Sequence, residues 1–205
     1  MKSILFLIPA IFLILSSTAV SRADELTDLL DQVEKLNITL EGYTLGKALS
    51  QNQEKMAAQN IVNDNTPDSA TGTYKFKDKN FYIVADKLSH RVIILYEQYD
   101  NLSSKKMQEI VGNLFYIFGD PTVMAHDKII YWAYGNKGRI SEKEFSSIKE
   151  NKKQLHILAT VKLNSSKKIM ELKNNNDNKG GSIYYIISSE PVLKLIKARK
   201  KQNHE

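Results

Sequence analysis

The pair His126-Asp127, with Asp120 a short way upstream, is where the side-chain types most invite chemistry. All three lie in FGDPTVMAHDKIIYWAYG, residues 118–135. An imidazole beside a carboxylate can take a proton as a general base, or bind a metal while the carboxylate orients the ring. One reading is therefore a hydrolase or metal-dependent enzyme built on His126 with Asp120 or Asp127. The spacing argues against it. Neighbouring residues on a strand point to opposite sides, so this pair cannot readily orient itself. His90 and His156 fall in other strand regions, with nothing to bring them to His126. The sequence has no HExxH, GxSxG, P-loop or dinucleotide-binding glycine pattern. It has no cysteine either, which removes thiol nucleophiles and zinc–thiolate sites. The sequence thus nominates no catalytic residue, no metal ligand and no cofactor, and His126-Asp127 reads as a polar turn or strand end.

The same stretch reads more simply as a joint. Gly119 follows the last apolar residue of a helical pattern, where a left-handed conformation usually ends a helix. Pro121 lacks the amide that continuation would need and pushes Asp120 toward an extended shape. Gly119 and Pro121 are therefore structural residues, ending a helix and redirecting the chain into a strand. In that strand Ile129, Tyr131 and Ala133 point one way and Ile130, Trp132 and Tyr134 the other. Both sets are largely apolar, as in a strand covered on both sides or lining a groove. The tyrosine hydroxyls and the indole N–H need partners or water, which makes Tyr131, Trp132 and Tyr134 candidate binding residues. A carrier holding a small apolar ligand against these three is a further reading.

The elements around the joint follow from periodicity. Residues 24–36 place Leu26, Leu29, Val33 and Leu36 on one helical face, with acids in the first turn. Asn37–Thr44 alternates as a short strand, and residues 48–62 return to helical character. NDNTPDSATG (63–72) is turn chemistry throughout and marks a boundary. After it the period becomes two: TYKF, FYIVA and RVIILYEQY, separated by KDKN and DKLSH, predict consecutive antiparallel strands. Residues 103–118 form the strongest amphipathic helix, capped by Ser103 or Ser104. The strand KIIYWAY, the helical segment SEKEFSSIKE and a hairpin LHILATVKL–NSSKK–IMELK follow. The loop NNNDNKGG, the strand SIYYIIS and a closing helix with Pro191 in its first turn complete the chain. A helix before FYIVADKLSHRVIILY and a helix before LATVKLNSSKKIMELK suggest a faint internal repeat. The expected fold is α+β: an antiparallel sheet with helices packed on one face, preceded by an N-terminal helical segment. The expected division is 24–63 mainly helical, 73–189 an α+β domain and 190–205 a basic helix or tail.

The first residues read as an address. Lys2 precedes an apolar run over residues 4–15, and Ser21-Arg22-Ala23 offers small residues at the positions a signal peptidase reads. The run is short for a membrane span, so the sequence predicts a periplasmic or secreted protein cleaved near Ala23. A cysteine-free exported domain must hold itself together by its core alone. The formal charge of +6 is concentrated near the C-terminus, in KLIKARKKQNHE. Lys200 and Lys201 there are candidates for contact with an acidic partner or an anionic membrane surface, beside the plainer reading of a solvated helix end. No basic stripe interleaved with aromatics is visible along the chain, so nucleic acid is not an expected partner.

VGNLFYIFGDPT, IIYWAY and LATVKLNSSKKIMEL, within residues 103–173, resemble the SmpA/OmlA (BamE-like) family of outer-membrane proteins. Members of that family show a helix ending in a Gly-x-Pro turn, a strand carrying Trp and Tyr, and a later hairpin with a polar turn. The resemblance implies a small α+β domain that acts through protein contacts rather than catalysis. The family's lipid-bearing cysteine is missing here, and the strands at 73–99 and the final strand and helix are additions to its pattern. The expected function is that of an exported, non-enzymatic binding or accessory protein of the bacterial envelope.

Overall fold

A computed structural model describes residues 22–62, 72–151, 155–172 and 180–202. They form an α+β protein without cysteine, in which an antiparallel sheet carries helices. Among the described residues no helix is long and apolar enough to cross a membrane. The predicted N-terminal helix is α1 (Arg22–Glu34), which buries Leu26, Leu30 and Val33. The strand expected over 37–44 is instead a minimal hairpin, β1 (Thr39–Leu40) and β2 (Tyr43–Thr44). Glu41 and Gly42 both take positive φ between them, the turn that suits the twist of a two-residue hairpin. Helix α2 (Gln51–Gln59) starts at a capping box, with the Ser50 and Gln53 side chains each bonding the other's backbone amide.

Three strands follow as the alternation predicts: β3 (Thr73–Asp78), β4 (Phe81–Asp86) and β5 (Val92–Leu102). Helix α3 (Ser104–Phe118) is capped by Ser103, whose hydroxyl accepts from the Lys106 amide at 3.2 Å. Beyond it lie β6 (Val123–Ala125), β7 (Ile129–Gly135), β8 (Gly138–Arg139) and α4 (Glu142–Glu150). The chain closes with β9 (Ala159–Ser165), β10 (Gly181–Ser188) and α5 (Glu190–Gln202).

The sheet runs β3-β4-β5-β10-β9-β7-β6, with β8 paired to β7. It is two meanders, each entered from an outer edge after a helix and each ending at the centre, where β5 and β10 pair. The repeat suggested by the sequence therefore has a counterpart in chain order, but its second half is displaced. Residues 169–172 of IMELK form a turn rather than a strand, Lys173 lies outside the described residues, and β9 pairs with β10 and β7. The Ser165 hydroxyl bonds both the amide and the carbonyl of Lys167, bending the chain away. Leu172 then buries itself against the core, with Ile169 packed beside it.

The N-terminal segment shares this core: Leu30, Val33, Ile38, Tyr43 and Leu45 are continuous with the apolar side chains of the sheet. Tyr43 lies edge-on to Phe76 of β3, and its hydroxyl donates to Asp78 at 3.1 Å. Arg91 ties α1 to the sheet through Asp31 and Glu34 (2.5 and 2.8 Å) and through the Gly46 carbonyl. Helix α5 packs on α1, burying Val192 and Ile196, and Arg199 near its end clasps the buried Asp86.

Candidate functional site: the outer face of the sheet

Residues 118–135 form the joint that their sequence describes. Helix α3 stops at Phe118, and the Gly119 amide donates back to the Phe115 carbonyl at 2.8 Å. Gly119 has φ +70° and ψ −155°. This is not the left-handed helical conformation expected from sequence but an extended mirror-image one, which is still more nearly restricted to glycine. The free carbonyls of the helix end are claimed by side chains from β7 and β8. The Trp132 indole donates to Gly119 O at 2.7 Å, and the Arg139 guanidinium to Phe118 O and Asp120 O at 2.5 and 2.9 Å. A side chain at position 119 would run into that guanidinium. After Pro121, the buried Thr122 hydroxyl donates to Ile140 O and accepts from the Ala133 amide, locking the start of β6 to β7.

His126 and Asp127 are the two central residues of the β6–β7 turn. Their φ values, 52° and 54°, are both positive, as a type I′ hairpin turn requires. Both side chains are exposed. Asp120 serves the joint through its backbone carbonyl. His90 lies in the β4–β5 turn with its Nδ1 2.9 Å from the Tyr74 hydroxyl, and His156 is exposed before β9. Among the described residues no group of three or more His, Asp or Glu side chains is placed to hold a metal.

Of the three aromatic candidates on β7, only Tyr131 faces outward. Trp132 is sealed in the core against Phe115 and Phe118 (ring centroids 5.6 and 5.9 Å), and Tyr134 is buried on the same side. Trp132 holds the sheet to α3, and neither residue can belong to one contact surface with Tyr131. Position 200 and position 201 lie in α5, but the Lys200 and Lys201 side chains are outside the described residues.

The residues that accompany Tyr131 come from other strands. Residues directly opposite one another in a sheet point to the same side. The register therefore draws one line across the whole outer face: Lys77, Tyr82, Tyr96, Ile186, Lys162, Tyr131, Val123. On one side of it run Lys75, Val84, Ile94, Ser188, Thr160 and Ala133. On the other run Gln98, Tyr184, Asn164 and Ile129. The four tyrosines and three lysines are half-buried: packed at their bases and open at their tips.

Their contacts are orderly. The Tyr82 and Tyr96 rings stack at 4.8 Å and 7°, and Tyr184 leans on Tyr96 at 6.1 Å. The Lys77 and Lys75 ammonium groups stand 5.0 and 5.6 Å from the Tyr82 ring centre, and Lys162 stands 5.4 Å from that of Tyr131. Burial, with the neighbouring Tyr82 and Tyr184, raises the Tyr96 phenol above its ordinary value, and burial raises that of Tyr184. Both therefore remain neutral hydrogen-bond donors at physiological pH. Such a face can offer hydroxyls and ammonium groups to an anionic or polar surface, around an aromatic centre.

A search along the chain for basic residues interleaved with aromatics misses this face, because its members are brought together only by pairing. The available signal was the second position of each alternating strand, where Lys or Tyr recurs at 75, 77, 82, 96, 131, 162 and 184. Comparison with known proteins adds no assignment: no protein-family model, no curated protein and no solved structure matched this chain.

Proposed function

We propose that this chain is an exported protein of the bacterial envelope that binds a protein partner on the outer face of its sheet and carries out no chemistry of its own. The observation that carries the reading is the tyrosine-rich line from Lys77 to Tyr131, left half-exposed opposite a sealed core. Protein interfaces favour such centres, since tyrosine supplies a large amphipathic contact at little entropic cost. Support for export comes from Lys2, the apolar run of 4–15 and the small residues Ser21 and Ala23. The likeness of residues 103–173 to the SmpA/OmlA family belongs to the same proposal, as a shared way of acting by contact.

Two measurements test it. Fractionation with intact-mass analysis should find the protein in the periplasmic fraction, cleaved after Ala23; a mass retaining residues 1–23 overturns that location. A photo-crosslinking amino acid placed at Tyr184 should capture a discrete envelope protein, whereas one at Glu144 on α4 should not. Capture from Glu144 alone would move the interface elsewhere. Divalent metals should leave the melting temperature unchanged, and a shift abolished by His126→Ala would restore the metal-dependent reading.

A further inference from the structure

Building on that reading, we infer that the surface this face accepts is acidic: a protein segment carrying carboxylates at two places about 19 Å apart, with an aromatic or apolar side chain between them. The distance follows from the register. Lys77 and Lys162 are separated by four strand-to-strand steps, each about 4.8 Å. Between them lie Tyr82, Tyr96 and Ile186. The central lines carry no carboxylate. Of the acids at their margins, Asp86 is neutralised by Arg199 and bonded by the Ser89 amide and hydroxyl, whereas Asp100 keeps its charge and accepts one hydrogen bond from the Gln98 amide at 3.3 Å. Lysine heads held beside ring faces are pre-positioned, so an incoming carboxylate orders less side chain than it would at a free surface lysine.

The same geometry speaks against the other polyanions. One face of Tyr82 is taken by lysine and the other by Tyr96, so that ring is closed to a nucleobase or sugar, and single-strand binding depends on open aromatic platforms. A membrane surface calls for protruding apolar side chains beside the basic ones. Among the described residues the large apolar side chains most exposed, Leu88, Tyr116 and Met170, lie on a turn, on α3 and in the bend after β9, not on this face. Six steps from β3 to β6 give the line a length of about 29 Å. An extended peptide of about nine residues crosses it.

The test uses the mature exported protein and labelled peptides of about ten residues, long enough to cross the line. One peptide carries glutamates toward both ends around a central tyrosine, and the other has lysines in their place. The acidic peptide should bind, weaken as salt rises, and shift the NMR signals of Tyr82, Tyr96, Tyr184 and Tyr131. The double variant Lys77→Glu, Lys162→Glu should weaken that binding by at least about tenfold and favour the lysine peptide instead. Its circular dichroism and melting temperature show whether the fold is intact, and the milder Lys162→Gln, expected to weaken binding less, replaces it if the fold is not. Binding that is indifferent to charge reversal, or stronger binding to oligothymidine or to phosphatidylglycerol vesicles, overturns the inference. Crosslinking from Tyr184 that persists in the double variant overturns the acidic partner but leaves a protein-binding face standing. Loss of crosslinking from every outer position in the wild type removes the face itself.

Discussion

Two neighbouring lines of residues on the same six strands have opposite fates. Phe76, Ile83, Leu95, Ile187, Val161 and Trp132 pair across the inner face, and each is 0% exposed. One position along each strand, Lys77, Tyr82, Tyr96, Ile186, Lys162 and Tyr131 pair across the outer face and stay half-open. The inner line is aliphatic or aromatic without exception, and its one polar group, the Trp132 indole, is spent on the end of α3. The outer line keeps hydroxyls and charges at its tips. Because a one-residue slip would exchange the two sets, the contrast itself pins the register. It also separates what is needed for stability from what is free for binding.

The sharpest way to break the comparison is to truncate both lines at the same strand. Trp132→Ala should cost about 3–5 kcal/mol in chemical denaturation, through a large cavity and the lost bond to Gly119 O. Tyr131→Ala, its neighbour on the outer face, should cost no more than about 1 kcal/mol. Equal losses would mean that the outer face is covered.

Next in size is the clasp on α5. Asp86→Asn should cost about 2–4 kcal/mol, leaving Arg199 without its counter-charge. Burial alone would raise the Asp86 carboxyl, but the hydrogen bonds from Arg199 and Ser89 and the charge of Arg199 outweigh it and hold the value below the ordinary range. A depressed folded value stabilises the fold above the unfolded pKa of about 3.9, and that contribution is lost as pH falls through the folded value. The gap in midpoint between wild type and Asp86→Asn should therefore be constant near neutrality and close below about pH 4. A gap that closes at higher pH would assign the effect to another group.

Gly119→Val should cost about 1–3 kcal/mol, since the backbone conformation disfavours a branched side chain and the Arg139 guanidinium would have to shift from the helix-end carbonyls. An unchanged midpoint would mean that α3 does not need this stop.

The smallest effects belong to the residues that first suggested chemistry. His126→Ala should change stability little, and Asp127→Gly should change it by no more than about 1 kcal/mol, because the relief of the positive φ is offset by the greater freedom of glycine in the unfolded chain. A clear loss in Asp127→Gly would indicate that the carboxylate has a partner after all.

Much of the fold was legible because local patterns and tertiary packing agree. Alternation over 73–99 marked β3, β4 and β5, and the apolar face of 103–118 marked α3 with its cap and its stop. One misreading arose where the deciding contact was remote, and another where alternation masked a local turn. IMELK has the composition of a strand, yet β10 takes the pairing edge of β9 and leaves that segment to tuck Leu172 inward. Residues 37–44 alternate as one strand, but positive φ at Glu41 and Gly42 folds them back on themselves.

Among the described residues, the sequence by itself determined the class of most of the longer elements, the ending of α3 at Gly119 and Pro121, and the two-sided chemistry of the long strands. Periodicity, capping and backbone restriction act over a few residues, so they can be read from a few residues. Only the tertiary structure decided which strands are neighbours, and so which side chains share a face. Tyr96 and Tyr184 lie far apart in the chain and touch because β5 and β10 meet at the centre of the sheet. Trp132 looked like Tyr131's companion in sequence, but alternation carries it through the sheet into the core. The surface proposed for binding is a product of pairing, and pairing is settled by the burial of the line behind it.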